Sequence, residues 1–304
     1  MARGDDRIVG LDLGTTKIAC IIAEPDEEKG GVKVVGVGTA ASEGLRRGVV
    51  VNLEKTVRSV EKAVEEAELM AGVRVDKVYA GIAGDHIRSI NTRGVIAVSR
   101  PDNEITKKDM ERVVDQARAV AIPIDREIIH VIPQEFVVDD QTGIKDPIGM
   151  SGVRLEAEVH IVTGAVTSAQ NIYKSVERAG LKVKDLVLQP LASGHAVLDE
   201  EEKELGVVLI DIGGGTTDIS IFYDGSIRHT SVLGLGGENV TNDIAIGLRT
   251  PRSQAEEIKV KHGCALSSMI DASEKIKVPG VGGREEREVS RGVLGAIIEP
   301  RLEE

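Results

Sequence analysis

An internal repeat constrains the fold of this chain more than any other feature of its sequence. Residues 9–22 align with residues 209–222, and each copy has a strand-like run, an aspartate, a glycine turn, two threonines in the same phase and a second strand-like run. The copies start about 200 residues apart, far beyond the period of about 20–50 residues in solenoids. The repeat therefore predicts two halves of similar fold that hold one ligand between them.

The turn in each copy has the composition of a phosphate-binding loop. Glycines permit positive φ angles and close backbone approach, so successive N–H groups can surround an anion. The turn glycines are Gly14, Gly213, Gly214 and Gly215. Further hydrogen-bond donors are the hydroxyl groups of Thr15, Thr16, Thr216 and Thr217. Lys17 supplies a cation where a β-phosphate would lie.

The residues around the turns restrict which type of phosphate-binding site they can form. Residues 18–22 and 219–222 are rich in β-branched side chains, which predicts a β-hairpin rather than the strand-to-helix turn of a P-loop. Asp12 and Asp211 precede the turns. Two carboxylates beside phosphates repel each other unless a cation lies between them, and hydrated Mg²⁺ suits that position. A single turn of this kind is usually an ordinary turn, but its duplication favours phosphate binding.

A segment between the copies has the pattern of a hinge. Residues 168–179 have the spacing of an amphipathic helix, residues 182–188 are strand-like, and Gln189 and Pro190 then open a further helix. The small residues 192–194 would permit another backbone to approach closely, as a hinge between two halves requires. A tightly packed helix start accounts for them equally well.

Composition excludes several classes of protein. The chain has 38 Lys and Arg against 50 Asp and Glu, a net charge of −12, with five aromatic residues (3 Tyr, 2 Phe) and no Trp. It therefore lacks the basic face and stacking platforms of a nucleic-acid binder. Its two cysteines, Cys20 and Cys264, lie far apart, which fits the reducing cytoplasm. Its longest apolar runs are far below the ~18 residues of a membrane span.

Three segments together resemble the phosphate 1, connect 1 and phosphate 2 motifs of the actin, Hsp70 and sugar kinase superfamily: residues 12–17, 189–193 and 211–218. Within it the chain is most similar to the FtsA family of bacterial cell-division proteins, on residues 236–245, 256–259 and 278–284. The resemblance covers nearly the whole chain. It implies an α/β, actin-like (duplicated ribonuclease H-like) fold that binds ATP and Mg²⁺.

The resemblance also implies roles for single residues. Asp12 and Asp211 would hold Mg²⁺ through its waters, and Gln189 would face the attacking water with Asp211 as the second catalytic candidate. The phosphates would be held by Gly14, Thr15, Thr16, Lys17, Gly213, Gly214, Gly215, Thr216 and Thr217. Glu238, Glu256 and Lys259 match positions near the ribose and base. A preference for a helix start or an i,i+3 ion pair accounts for these three equally well.

Residues 86–160 distinguish this family from other branches. They combine strand-like runs at 95–98, 127–131 and 153–161 with a helix that Thr106 caps, and so predict a small α+β insertion. The apolar residues of the last run alternate strictly from Val153 to Ile161, which predicts one buried and one solvent-exposed face. The insertion resembles the 1C subdomain of FtsA, which the family uses for polymer contacts and for binding later division proteins.

These parallels divide the chain into four parts. Residues 1–85 and 161–199 form the first half (IA), 86–160 the 1C-type insertion, 200–230 and 285–304 an incomplete second half (IIA), and 231–284 a IIB-type subdomain. The short second half suggests that a C-terminal region, with the adenosine motif and a membrane-binding amphipathic helix, lies outside this chain. We therefore expect weak nucleotide binding, an uncovered sheet edge and no membrane attachment by these residues alone.

The function implied by the resemblance is that of a cell-division scaffold. It would bind ATP, hydrolyse it slowly if at all, self-associate into filaments, bind FtsZ and tether the FtsZ ring to the cytoplasmic face of the membrane at the division site. Arg301 resembles a position that binds the tail of FtsZ, although an exposed helix arginine accounts for it equally well. Two alternatives are another actin-like bacterial scaffold, such as a pilus-assembly ATPase, and a small-molecule kinase.

Overall fold

The computed structural model describes residues 7–26, 30–100, 102–271, 273–280, 282 and 285–304. These residues separate into two compact units, one ending at Gly234 and the other spanning Leu235–Glu304. Each unit has a hydrophobic core of its own. Among the helices formed by these residues, none is both long enough and apolar enough to cross a membrane.

The first unit begins with the first copy of the repeat, which forms a β-hairpin as predicted. The elements are β1 (Ile8–Leu13), β2 (Lys17–Pro25), β3 (Val32–Ala41), the short pair β4 (Leu45–Arg46) and β5 (Val49–Val50), helix α1 (Leu53–Ala71) and β6 (Lys77–Ile82). Helix α1 starts where the Asn52 side chain accepts the N–H of Lys55, and it ends at Gly72, whose φ is +67°. Both caps are local sequence features.

The insertion follows as an antiparallel sheet with one helix. Its elements are β7 (Arg88–Ala97), α2 (Lys107–Arg118), β8 (Arg126–Val138), β9 (Gln141–Ile144) and β10 (Arg154–Ala165), and the strand order is β7-β10-β8-β9. Thr106 caps α2 as predicted, with its hydroxyl 2.6 Å from the Asp109 carboxylate. Val113 and Ala117 of α2 share a hydrophobic core with Leu155 of β10. The predicted α+β composition of the insertion is confirmed.

The rest of the first unit carries the second copy of the repeat. Its elements are α3 (Val166–Arg178), β11 (Lys182–Leu188), α4 (Gln189–Val197), α5 (Glu200–Leu205), β12 (Val207–Ile212), β13 (Thr217–Tyr223) and β14 (Ser226–Leu233). A five-stranded sheet has the order β11-β6-β1-β2-β3, and a three-stranded sheet has the order β12-β13-β14. The two copies therefore lie in different sheets, and α4 lies between them in the chain.

The outer edge of the five-stranded sheet is β3, and side chains of α1 occupy part of it. The N–H of Val37 lies 3.3 Å from the Met70 sulfur, and the N–H of Thr39 lies 2.6 Å from a carboxylate oxygen of Glu66. Both N–H groups point away from the sheet at positions where a further strand would pair. Helix α1 thus packs on one face of the sheet, and two of its side chains accept N–H groups of this edge.

The second face of β10 differs from the prediction. Strict alternation predicted that this face is exposed, but Glu156 and His160 are buried, whereas Val153, just before the strand, is exposed. Glu156 is buried because Arg93 and Arg154 pair with its carboxylate. The Glu156 carboxylate on this face is therefore paired with arginine side chains and is not solvated.

Strand β14 covers the same face near His160 through polar contacts. The imidazole lies 2.6 Å from the Asn91 amide oxygen and 3.1 Å from the Thr230 hydroxyl. Ser89 donates to the Thr230 carbonyl at 3.0 Å, and Asn91 donates to the Arg228 carbonyl at 3.1 Å. The insertion is thus attached to the outer strand of the three-stranded sheet by side-chain hydrogen bonds.

The second unit is a small α+β unit. Its elements are α6 (Gly237–Gly247), α7 (Arg252–His262), a 3₁₀ turn (Ser267–Met269), β15 (Lys275–Val278), β16 (Arg287–Ser290) and α8 (Arg291–Glu303). Leu294 and Ile298 of α8 join Ile244 of α6 and Ile258 of α7 in its core. Residues 291–303 thus pack with residues of 235–284, while the four-part division of the chain into family subdomains stays a prediction.

Candidate functional site

Both repeat turns open onto one cavity of about 660 Å³ in the first unit. Its lining includes Asp12, Gly14, Thr15, Thr16 and Lys17 from the first copy and Asp211, Gly213, Gly214, Thr216 and Asp218 from the second, together with Gln189 and Ser193 of α4. The two aspartates are close enough for the Asp211 charge to contribute to the pKa of Asp12. The structure therefore brings the two halves of the predicted phosphate site together.

The two turns have the same backbone geometry. The N–H of Gly14 donates to the Lys17 carbonyl at 3.1 Å, and the N–H of Gly213 donates to the Thr216 carbonyl at 2.9 Å. Each aspartate lies opposite the residue seven positions later, Asp12 opposite Ala19 and Asp211 opposite Asp218. A constant offset of 211 − 12 = 199 positions thus relates the two hairpins.

This offset corrects the predicted alignment of the two threonine pairs. With it, Thr15 and Thr16 are equivalent to Gly214 and Gly215, so the threonine pairs are two positions out of phase. The reason is that a hairpin aligns by its cross-strand register, which the similar letters of the two turns do not reveal. The first turn thus carries side chains where the second has none.

The threonines of the first turn fill the space left by the glycines of the second. A Cβ atom on Gly214 would lie 2.3 Å from the Thr16 methyl group, and one on Gly215 would lie 2.7 Å from the Thr15 hydroxyl oxygen. The Thr15 hydroxyl also accepts the N–H of Gly48 at 3.2 Å. Only glycine permits this approach of the two turns.

Helix α4 contacts both aspartates of the repeat. The Gln189 amide donates to Asp12 at 2.6 Å, and the Ser193 hydroxyl donates to Asp211 at 3.3 Å. Burial raises the pKa of Asp12, the Lys17 charge acts in the opposite direction, and the Asp211 charge raises this pKa further. Gln189, predicted to face the attacking water, is thus bound to a carboxylate of the same cavity.

Asp218 is a cavity residue that sequence reasoning did not select. It is buried; burial and the nearby Asp211 charge raise the pKa of its carboxyl group to about 6, although a hydrogen bond from Thr216 lowers it. Thr216 donates to one carboxylate oxygen at 3.2 Å, and the other oxygen is buried without a partner among the described residues. The hairpin register, which places Asp218 opposite Asp211, could have revealed it.

Gly215 and Thr217, also predicted to hold phosphates, are not among the residues that line the cavity. The remaining predicted site residues belong to the second unit, where each has a local partner. Lys259 lies 2.7 Å from Glu256, and Glu238 lies 2.6 Å from Arg252. Their roles near the ribose and base stay predictions. The Arg301 guanidinium group makes two contacts with the Asp243 carboxylate, at 2.6 and 3.3 Å. A carboxylate on the tail of FtsZ, the ligand predicted for this residue, would have to compete with Asp243 for the guanidinium group.

The donor set of the cavity fits hydrated Mg²⁺. Magnesium keeps several waters and is usually held by one or two carboxylates together with substrate phosphates. Asp12 and Asp211 supply two carboxylates on one cavity. Burial raises the pKa of Asp12 and the Asp211 charge raises it further, and a cation between the two carboxylates would favour their charged forms. Phosphate binding by the backbone of the two turns stays a prediction, and it would use N–H groups other than those of Gly14 and Gly213, which donate within their own turns.

Two family models match the chain. The model described as the SHS2 domain inserted in FTSA matches residues 84–163, and the model of cell division protein FtsA matches residues 208–295. The first of these matches the region predicted as a 1C-type insertion.

Full-length relatives give the same result. Cell division protein FtsA of Pseudomonas aeruginosa is 54% identical over 297 residues, which cover 98% of this chain and 70% of the relative. FtsA of Escherichia coli K12 is 46% identical over 308 residues, which cover 100% of this chain and 72% of the relative. The chain thus spans about 70% of the length of these relatives.

Solved structures with low sequence identity share the fold. The PilM–PilN type IV pilus biogenesis complex matches with a TM-score of 0.62 at 18% identity, over 84% of this chain and 70% of that chain. MreB5 of Spiroplasma citri bound to ADP matches with a TM-score of 0.53 at 13% identity, over 98% and 75%. These matches confirm the predicted actin-like fold.

Sequence identity separates the two predicted scaffold classes. The pilus complex shares 18% identity with this chain, whereas the FtsA relatives of two genera share 46% and 54% over nearly its whole length. The predicted resemblance is therefore confirmed, and this chain belongs to the FtsA family of actin-like cell-division proteins.

Proposed function

We propose that this chain binds ATP with Mg²⁺ in the cavity between the two repeat hairpins and works as a cell-division scaffold. The observation that carries the proposal is the convergence of two equivalent hairpins, with Asp12 and Asp211, on one cavity. MreB5 of Spiroplasma citri, which shares the fold, was solved bound to ADP, and this supports nucleotide binding by the chain. ATP as the ligand, and Mg²⁺ as its cation, rest on the chemistry of the donors.

Each group of donors has a task in this proposal. The ammonium group of Lys17 and the N–H groups of the turns other than those of Gly14 and Gly213 would bind the phosphates, while Asp12 and Asp211 would bind waters of the cation. When bound, Mg²⁺ would neutralise charge on the phosphates. Gln189 would orient a water for slow hydrolysis, for which it must leave or share its hydrogen bond to Asp12.

The partners of the proposed scaffold are FtsZ, further copies of the chain, and later division proteins at the insertion. Family membership supports these partners. The proposed location is the cytoplasmic face of the membrane at the division site. The chain spans about 70% of the length of its relatives. The tether that we propose for the family is a C-terminal amphipathic helix.

Titration calorimetry with ATP, in the presence and absence of Mg²⁺, tests the nucleotide site. We expect binding that Mg²⁺ strengthens, and at least about tenfold weaker binding for D12N and D211N, because a lost charge–charge contact in a partly buried site costs more than about 1.4 kcal/mol. D115N, which removes an exposed carboxylate of α2, is the matched control. Absence of binding to the unaltered chain would overturn the proposal.

Co-sedimentation with FtsZ or its tail peptide tests the scaffold role. We expect R301A to lose most of the bound peptide, since a tail carboxylate would need the guanidinium group that now pairs with Asp243. R58A, which removes an exposed arginine of α1, should bind as well as the unaltered chain. Equal binding by R301A and R58A would exclude Arg301 from the contact.

A further inference from the structure

Helix α4 offers one donor to each copy of the repeat. Gln189 and Ser193 are four residues apart, so their side chains lie on the same face of the helix. The first donates to Asp12 Oδ1 at 2.6 Å, and the second donates to Asp211 Oδ2 at 3.3 Å. A single rigid element therefore touches both carboxylates of the cavity, one from each sheet.

Contacts near both donors fix the position of this helix. A Cβ atom on Gly81 of β6 would lie 3.1 Å from both Cγ and Nε2 of Gln189, so the glycine leaves just enough room for the glutamine. A Cβ atom on Gly194 would lie 2.6 Å from the ring of Phe222 on β13. Helix α4 thus packs against the five-stranded sheet beside Gln189 and against the three-stranded sheet beside Ser193.

The direction of the Ser193 hydroxyl is informative. A serine inside a helix commonly donates to the carbonyl four residues earlier, which here would be that of Gln189. Ser193 instead donates to Asp211 of β12, a strand that begins at Val207, beyond the end of the helix. The hydroxyl therefore acts on the cavity rather than on its own helix.

We propose that Ser193 is a positioning residue for Asp211. Its hydroxyl fixes the orientation of that carboxylate, as the Gln189 amide does for Asp12, so that both carboxylates face the same hydrated cation. The inference rests on the proposed Mg²⁺-dependent binding of ATP and adds to it a residue that touches neither nucleotide nor metal. Helix α4 then sets the distance between the two carboxylates.

A Mg²⁺ titration at a fixed concentration of a fluorescent ATP analogue tests the proposal. For S193A we expect the Mg²⁺ concentration at half-saturation to rise about three- to tenfold, the range for loss of one hydrogen bond to a charged group that is partly solvated. Binding of the analogue in EDTA should be unchanged. S193T, which keeps the hydroxyl, should restore the Mg²⁺ response, and H195A controls for changes on an exposed side of α4.

A double-mutant cycle separates positioning from general damage. If Ser193 acts through Asp211, S193A should have no further effect on the Mg²⁺ response once D211N is present. A full additional effect in the D211N background would overturn the proposal, as would an unchanged Mg²⁺ response of S193A alone. Failure of the unaltered chain to bind the analogue at any Mg²⁺ concentration would instead overturn the proposed function itself, and this inference with it.

Discussion

The two hairpins of the repeat share a backbone but differ in surroundings. In β1, Val9, Leu11 and Leu13 are buried under α1 and α3, within a sheet of five strands. In the equivalent β12, Val208, Ile210 and Ile212 are 55%, 55% and 71% exposed, in a sheet of three strands. The repeat therefore specifies turn geometry, while burial of the same kind of strand depends on its neighbours.

The turns differ in a complementary way. Thr15 and Thr16 of the first turn occupy the space that Gly214 and Gly215 of the second leave empty. Two identical turns would either collide or leave a gap at this point. The sequence difference between the two turns thus allows them to lie in close contact.

The largest effect is expected at the first glycine of each turn. A Cβ atom on Gly14 would lie 2.7 Å from the Lys17 carbonyl oxygen, whereas one on Gly213 would lie 3.2 Å from the Thr216 carbonyl oxygen. G14A should therefore lower the free energy of unfolding by about 3 kcal/mol, and G213A by about 1 kcal/mol or less. Urea denaturation measures both, and equal losses would contradict the asymmetry.

A smaller effect is expected where the turns meet. G215A places a methyl group against Thr15, whose side chain can move, so the expected loss is about 2 kcal/mol. T15A removes the obstructing atoms, and the double variant G215A/T15A should therefore regain most of that loss. If the losses in free energy of unfolding of G215A and T15A simply add in the double variant, the two turns are not in steric contact.

The smallest effect concerns the support of the second hairpin by the insertion. Burial, with a contribution from His229, lowers the pKa of His160 to about 4, below the ~6.5 of an unfolded histidine. As the pH falls through this window the unfolded chain binds the proton first, so stability is present above about pH 6.5 and is lost towards pH 4. Between pH 7 and pH 5.5 the loss should be about 1 kcal/mol.

The variant H160Q isolates this contribution. It should be less stable than the unaltered chain at pH 7 because its contacts to Asn91 and Thr230 change, but its stability should fall less between pH 7 and pH 5.5. H195Q, at an exposed position of α4, should keep the full pH dependence. Parallel pH curves for H160Q and the unaltered chain would exclude His160 as the source.

Local features made much of the fold predictable. Thr106 begins α2 as predicted, and the β-branched runs of both repeats form hairpins, since caps and alternation depend on near neighbours. The buried second face of β10 was not predictable, because His160 is covered by Thr230, 70 residues later. The pattern shows which side chains alternate, but not what lies beyond them.

The individual residues of the candidate site were predictable from the sequence, but the contacts between them were not. Asp12, Lys17, Gln189 and Asp211 follow from motifs, and all of them line the cavity. The register that makes Thr15 equivalent to Gly214 required the strand pairing. The Ser193–Asp211 contact required in addition the placement of α4 against two sheets, for which the motif gives no geometry.

The covered edge of β3 has a consequence for assembly. Edge strands commonly recruit a neighbouring chain through main-chain pairing, and proteins avoid this by covering or charging them. Here a thioether and a carboxylate of α1 already accept two outward N–H groups. A growing polymer of this protein could therefore pair a strand of the next molecule with these two N–H groups only if Met70 and Glu66 first released them.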